Sequence, residues 1–304
     1  MRKAFSDTLV RVAEANPRLA FITGDLGFQV FDEFHEKFGR RYINAGVAEA
    51  QMVTAAAGLA AEGFHAVAYS IASFATARPF EQIRYCVAYP NLPVTIVGAG
   101  RGFTYANAGV SHHALDDVAL MAAIPNMTVV IPGEPGEVEQ LFPQVVALPG
   151  PSYFTVGRFG EPRYEAEAPA VLGRARLLRK GNGIAIVTMG EMAGEVLSAC
   201  KLLAADKITP IVYQMHTVKP LDVATLNVLA QEVGSILVVE EHLPMGGLWS
   251  AMANWSMSLT RPVKFVRLGP PDAFALGNLT RDGFRRLMGF DATAIAATCR
   301  TLSQ

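Results

Sequence analysis

The chain has 304 residues, which corresponds to about two domains at roughly 150 residues per domain. Apolar residues make up 51% and charged residues 17%, a composition that excludes a disordered chain. The net charge of −1 predicts no general attraction for nucleic acid or for anionic membranes. Such low charge also predicts that part of the surface is buried against another subunit.

The cysteines and the hydrophobic stretches indicate in which cellular compartment the protein is found. Cys86, Cys200 and Cys299 are far apart in the sequence, so neither a disulfide framework nor a zinc site is predicted. The N-terminus lacks the apolar core of a signal peptide, and no stretch of about 18 apolar residues predicts a membrane span. We therefore expect a cytoplasmic protein.

The first half of the chain alternates short β-branched runs with longer helical patterns. The residues from 98 to 113 are glycine-rich, have no periodicity and predict a loop. The predicted helices are residues 2–14, 48–61, 78–89, 115–123 and 135–146, and the predicted strands are residues 19–23, 41–44, 66–69, 93–97 and 127–131.

The second half repeats this alternation after a polar, proline-punctuated linker at 160–169. Its predicted strands are residues 183–188, 210–213, 235–239 and 263–266, and its predicted helices are residues 191–205, 222–232, 246–258 and 280–298. The pattern predicts the α/β class, with two three-layer domains at 1–165 and 170–304, each built on a mostly parallel sheet.

One candidate site residue is Glu49, at the start of the alanine-rich helix predicted at 48–61. A glutamate in a first turn is commonly stabilised by the helix dipole alone. Here small apolar residues surround the carboxylate, which makes it a candidate for proton handling.

Two further segments contain candidate residues. Phe74 lies in a Ser/Ala/Thr-rich stretch, where its ring either fills the core or offers a face to a flat ligand. His112 and His113 lie at the end of the glycine-rich loop and are followed by Asp116 and Asp117. That pairing leaves both a functional histidine and an ordinary surface residue open.

Taken in order, these segments resemble the transketolase family over essentially the whole chain. The chain looks most like the stand-alone C-terminal subunit of split transketolases, and it is also similar to 1-deoxyxylulose-5-phosphate synthase. The resemblance implies a pyrimidine-binding domain followed by the family's C-terminal domain. The matching motifs are Gly46-Val-x-Glu49, Arg78 with Glu81-Gln-Ile-Arg84, Ser111-His112, Ala123-Ile-Pro-Asn126, Lys219-Pro-Leu-Asp222 and Glu240-Glu-His-x-x-x-Gly-Gly247.

The resemblance implies thiamine diphosphate as the cofactor, bound by Glu49, Phe74 and Arg78. In the family, a glutamate at this position hydrogen-bonds N1′ of the aminopyrimidine and so favours the tautomer that removes the thiazolium C2 proton. An aromatic residue at the position of Phe74 stacks on the pyrimidine. Glu49 is therefore expected to be catalytic.

The resemblance also implies the substrate contacts. His112 matches a catalytic family histidine that hydrogen-bonds substrate hydroxyls and the developing alkoxide. Arg2 and Arg158 match arginines that bind the sugar phosphate, for which the guanidinium fork is well suited. Arg101 matches an arginine that binds the acceptor phosphate in the deoxyxylulose phosphate synthases.

The residues that hold the cofactor's diphosphate and Mg²⁺ are not expected in this chain. The family uses Gly-Asp-Gly followed by Asn, whereas Gly24-Asp25-Leu26 lacks the second glycine and Asn44 follows Asp25 by only 19 residues. The resemblance therefore implies an N-terminal, diphosphate-binding partner subunit that supplies the metal ligands. It also implies self-association in an α2β2 assembly.

Three positions depart from typical transketolases. Gly100 replaces a second substrate histidine, Ala108 replaces an aspartate that reads a sugar hydroxyl, and Gln29 lies near a phosphate-binding serine. Each lost hydrogen bond changes discrimination between substrates by about 1–3 kcal/mol. We therefore expect transfer of a ketol unit from a ketose to an aldose acceptor in which the ketose or the acceptor is non-standard, such as a branched, deoxy or otherwise modified sugar, or a pyruvate-like donor.

Three alternatives remain open at this point. One is a subunit similar to deoxyxylulose phosphate synthase, which Arg101 favours. Another is the beta chain of a 2-oxoacid dehydrogenase, which has a similar pair of domains. A third is a non-catalytic scaffold subunit, for which Gly100 and Ala108 would be the main support.

Overall fold

The computed structural model describes residues 1–158, 160–164 and 168–303. It contains two α/β units, each with a central sheet between helical layers, so the predicted fold class is confirmed. The predicted linker includes residues 165–167, which lie outside the described residues. None of the described helices is long and apolar enough to cross a membrane.

The strands form two sheets. In chain order they are β1 (Leu19–Thr23), β2 (Tyr42–Asn44), β3 (His65–Ile71), β4 (Val94–Ala99), β5 (Thr128–Val130), β6 (Ser152–Val156), β7 (Arg176–Arg179), β8 (Ile184–Thr188), β9 (Ile211–Gln214), β10 (Thr217–Lys219), β11 (Ser235–Val239) and β12 (Lys264–Leu268). The first sheet has the order β10-β5-β6-β4-β3-β1-β2, and the second has the order β12-β11-β8-β9-β7. All pairings are parallel except β10 with β5 and β7 with β9.

Helices cover both faces of each sheet. In chain order they are α1 (Arg2–Ala15), α2 (Asp32–Phe38), α3 (Glu49–Ala61), α4 (Ala72–Ala77), α5 (Phe80–Gln82, continuing as a π-helical segment at Ile83–Ala88), α6 (Asp117–Ala122), α7 (Pro135–Val146), α8 (Met192–Leu203), α9 (Val223–Glu232), α10 (Leu248–Ser256), α11 (Arg281–Leu287) and α12 (Ala292–Leu302). The central strands of the first sheet are buried along their whole length, as expected for parallel strands covered on both sides.

The helix predicted at 78–89 begins two residues later in the structure, at Phe80, and continues to Ala88. Helix α4, which was not predicted, ends at Ala77, and Pro79 separates the two helices. Proline has no N–H and its ring clashes with the preceding turn, so it interrupts a helix at this point. Helix α2 and strands β6 and β7 were not predicted, and the predicted helix 280–298 is two helices with Gly289 between them.

The two units are tightly joined. Strand β10 follows the second sheet's β9 in the chain, but it pairs antiparallel with β5 of the first sheet. One hydrophobic core contains Ile96 and Met52 of the first unit together with Val187 and Leu226 of the second. The Lys219 side chain also donates to the carbonyl oxygens of Ala122 and Ile124, at 2.9 and 2.6 Å.

Candidate functional site

The predicted site residues gather at the carboxyl edge of the first sheet. Glu49 begins the helix that follows β2, Phe74 lies on the helix that follows β3, and the loop after β4 leads to His112. Open parallel α/β sheets bind ligands outside the carboxyl ends of their strands. The order of these elements along the chain therefore brings distant residues into one cleft.

The Glu49 carboxylate is buried, with 4% of the residue exposed. Arg78 Nη1 donates to both carboxylate oxygens at 3.0 Å, and Ser70 Oγ donates to Oε1 at 3.4 Å. The first helical turn of α3 also favours a negative charge. This carboxylate is therefore held in a fixed position and faces a cationic, planar donor.

The Phe74 ring is covered by the same arginine. The Arg78 guanidinium carbon lies 3.8 Å from the centre of the Phe74 ring, a cation–π geometry. A planar, nitrogen-bearing group thus already stacks on Phe74 while it donates to Glu49. The arrangement fits the aminopyrimidine predicted for this site, which needs the same ring face and the same carboxylate.

His112 lies beside this pair, with its ring centre 4.9 Å from that of Phe74. Desolvation lowers the pKa of His112, and the positive charge of Arg78 and the neighbouring His113 lower it further. His113 plays a different part, because its buried Nε2 lies 3.0 Å from the Ala106 carbonyl oxygen. Of the two histidines, His112 is the one that faces the cleft around Glu49.

A second region of the site contains the predicted phosphate-binding residues. Arg2, Gln29 and Arg158 line one cavity of about 520 Å³, although they are far apart in the sequence. Arg2 interacts with the buried Tyr69, whose pKa is raised by burial. The lining also contains Lys3, which is paired with Asp7, and the acidic Glu33. An anionic ligand would therefore depend on Arg2 and Arg158.

Arg101 does not lie where the resemblance implies. It is fully buried, 3.4 and 3.5 Å from the two carboxylate oxygens of Asp117, and it donates to the Glu241 carbonyl oxygen at 3.2 Å. The acidic neighbours compensate its charge inside the protein and raise its pKa against the effect of burial. In this structure Arg101 joins the two units, and it is not exposed to an acceptor phosphate.

Tyr105 was not among the site residues predicted from the sequence. Its half-buried ring lies between the His112 ring, at 6.1 Å, and the Arg158 guanidinium, at 5.1 Å from the ring centre. A single tyrosine in a glycine-rich loop does not by itself indicate a functional residue. Gly100, where the family has a histidine, is a sequence feature that could have pointed to a different side chain in this space, and the structure shows a positive φ of 68° there.

The described residues contain no group of three or more His, Cys, Asp or Glu side chains placed to hold a metal ion. The nearest match to the family motif is Asp25 with Asn44, whose side chains hydrogen-bond to each other at 2.9 Å. Glu49, Phe74 and Arg78 could contact the pyrimidine end of the cofactor.

Comparison with known proteins agrees with this geometry. The family model "Transketolase, pyrimidine binding domain" matches residues 1–159, and "Transketolase, C-terminal domain" matches residues 173–295. The 6-deoxy-6-sulfo-D-fructose transketolase subunit SqwH of Clostridium sp. is 33% identical over 100% of this chain and 94% of that protein. An apulose-4-phosphate transketolase subunit of Phocaeicola vulgatus is 31% identical over 98% of this chain and 95% of that protein.

A solved structure described as "Split gene transketolase, inactive beta4 tetramer" superposes with a TM-score of 0.90 and is 31% identical. The match covers 99% of this chain and 97% of that one. The relatives are thus separate transketolase subunits of similar length, and the family is thiamine-diphosphate-dependent. The chain belongs to the transketolase family, as a subunit of the C-terminal type that contains the pyrimidine-binding and C-terminal domains.

Proposed function

We propose that this chain is the pyrimidine-binding subunit of a two-subunit, thiamine-diphosphate-dependent transketolase. It would transfer a ketol unit from a ketose carrying an anionic group to an aldose acceptor. One observation carries the proposal: the Arg78 guanidinium donates a hydrogen bond to the buried Glu49 carboxylate and lies over the ring of Phe74. The carboxylate and the ring face are therefore close enough to contact one planar group together.

The residues of the chain would prepare the cofactor. Thiamine diphosphate, when bound, supplies a carbon nucleophile and an electron sink. Glu49 would hold a proton at the pyrimidine nitrogen, and its burial excludes water from that hydrogen bond. Phe74 would fix the plane of the ring. Arg78 would have to move from its present contact with Glu49 to let the ring in.

The cleft beyond the cofactor would bind the sugar. His112, whose pKa is lowered, is available as a neutral imidazole that hydrogen-bonds substrate hydroxyls and stabilises a developing alkoxide. Arg2 and Arg158 would bind the anionic end in their common cavity. The absent side chains at Gly100 and Ala108, and the relatives named for sulfofructose and apulose phosphate, support a non-standard sugar.

The site needs a second chain. The metal and the diphosphate would be bound by an N-terminal transketolase subunit, with the cofactor at the interface and an α2β2 assembly as the active form. The relative described as an inactive tetramer of one subunit type supports this dependence. The burial of Arg101 against Asp117 argues against the phosphate contact on which a deoxyxylulose-phosphate-synthase-like subunit would depend.

The test is reconstitution with the diphosphate-binding subunit, followed by a screen of ketose donors and aldose acceptors. Replacing Glu49 by Ala should lower ketol transfer by about 100-fold or more, the range for loss of a proton-transfer group. Glu62→Ala is the matched control, because Glu62 is an exposed acid at the end of the same helix.

Unchanged transfer by the Glu49→Ala variant would show that the proposed mechanism is wrong. A parent assembly that binds the cofactor but turns over no donor would favour the scaffold alternative. Normal turnover of xylulose 5-phosphate with ribose 5-phosphate would refute the non-standard sugar while leaving the mechanism in place.

A further inference from the structure

Gly100 has no room for a side chain unless its neighbours move. A Cβ built on it would clash with Cε2 of the Tyr105 ring and would lie 3.1 Å from the Thr104 methyl carbon. Its φ of +68° is also a conformation that favours glycine. The Tyr105 ring therefore fills the space next to Gly100, directly after the end of β4.

That ring lies between the two regions of the cleft. On one side is His112, whose ring centre is 6.1 Å away. On the other is Arg158, whose guanidinium lies over the Tyr105 ring at 5.1 Å. The Tyr105 phenol also lies close enough to the Tyr69 hydroxyl to raise the pKa of Tyr69, which Arg2 opposes. Tyr105 thus contacts both His112, which is proposed to bind substrate hydroxyls, and Arg158, which is proposed to bind the anionic group.

The hydroxyl of Tyr105 has capacity for a ligand. Among residues 1–158, 160–164 and 168–303, the hydrogen bonds of the structure include none from this hydroxyl, and the side chain is half-buried. By contrast, the fully buried tyrosine of β6, Tyr153, donates to Asp117 at 2.8 Å. A half-buried phenol flanked by an imidazole and a guanidinium is suited to bind a polyol.

We propose that Tyr105 is a specificity-determining residue that contacts the substrate. Its ring orients Arg158 toward the anionic group, and its hydroxyl hydrogen-bonds one hydroxyl in the middle of the sugar chain. The ligand class is an anionic ketose, either a phosphate or a sulfonate. This inference rests on the proposed function, since it concerns the same cleft.

The first experiment compares the parent assembly with Tyr105→Phe, which keeps the ring over Gly100 and removes only the hydroxyl. The donor that is best in the screen, and its monodeoxy analogues, are used as substrates. We expect kcat/KM for the full donor to fall about 10-fold, and one deoxy analogue to be used equally well by both proteins. Tyr213→Phe, in the second sheet outside the cleft, is the matched control.

Two results would overturn the proposal. One is an unchanged kcat/KM for Tyr105→Phe with every donor. The other is an equal loss with every deoxy analogue, which indicates that the hydroxyl acts on the structure of the site and not on the sugar.

A second measurement does not depend on turnover. The anionic ketoses of the donor screen, with fructose 6-phosphate among them, are titrated calorimetrically into the cofactor-free parent assembly and into its Tyr105→Phe variant. Weaker binding of at least one ketose by the variant supports the proposal, even where the donor screen fails and the proposed function is rejected. Equal binding of every ketose by both proteins, or no binding of any ketose to the parent assembly, overturns it.

Discussion

Arg78 links the residues at the centre of the cleft, because one guanidinium contacts Glu49 and covers Phe74. The sequence predicted these three residues to act together, since they belong to recognisable motifs. It did not predict that the Arg78 guanidinium itself contacts both other residues, because side-chain conformation depends on which neighbour offers a buried negative charge. The burial of Arg101 could not be predicted for a related reason, since it depends on Asp117 and on Glu241, which is 140 residues away in the sequence.

The same guanidinium affects His112. The pKa of His112 is lowered first by desolvation and then by the Arg78 charge, so replacing Arg78 by Gln should raise the pKa of His112. The imidazole would then begin to protonate at a higher pH than in the parent chain. An NMR titration of the histidine resonances measures this, with His35 on α2 as an internal control. A pKa of His112 that is unchanged or lower in the variant would contradict the proposed electrostatic effect.

At the scale of elements, most of the buried strands were predicted, although the fully buried β6 was missed, and predictions failed where tertiary contacts determine the element. The apolar runs that became β1, β4 and β8 were predicted because parallel strands covered on both faces have few polar residues. No strand was predicted at β10, where the sequence showed only the Lys-Pro-Leu-Asp motif that begins at Lys219. The three residues of β10 form a strand because β5 offers an open edge, which the sequence of β10 cannot indicate.

Lys219, the last residue of β10, attaches this strand to the first unit. Its ammonium group donates to the carbonyl oxygens of Ala122 and Ile124 near the end of α6, and burial lowers its pKa. Lys219→Met should lower the free energy of unfolding by about 1–3 kcal/mol, because the two carbonyl oxygens lose a charged donor. Urea denaturation measures the change. The exposed Lys264→Met is the control, and equal effects of the two substitutions would refute the role of Lys219.

In the molecule as a whole, Glu241 connects the two units. Its carboxylate receives hydrogen bonds from Arg281, Arg285 and the Phe103 backbone N–H. Burial alone would raise its pKa, but the two arginines and the N–H outweigh burial and lower the pKa to about 2. Because Phe103 belongs to the first unit and both arginines to the second, this cluster favours unfolding of the whole chain in one transition.

The pH dependence of stability follows from that pKa. The pKa of Glu241 lies below the ordinary value of 4.5, so its charge stabilises the fold above about pH 4.5 and this contribution is lost as the pH falls toward 2. Glu241→Gln should cost about 3–5 kcal/mol at pH 7, because it leaves buried arginines without a counter-charge.

The cost of this substitution should shrink as the pH is lowered from 4.5. Urea unfolding of the parent and variant chains between pH 3 and pH 7 tests this expectation. A difference that is constant with pH would show that Glu241 does not stabilise the fold through its charge.

The central claim is that Glu49 supplies one half of a cofactor site that a second subunit completes. Calorimetric titration of thiamine diphosphate with Mg²⁺ into this chain, into the diphosphate-binding subunit and into their mixture tests it most directly. We expect tight binding only by the mixture, weakened about 10-fold or more by Glu49→Gln through loss of a charged hydrogen bond. Equally tight binding by this chain alone, or binding by the mixture that Glu49→Gln leaves unchanged, would contradict the claim.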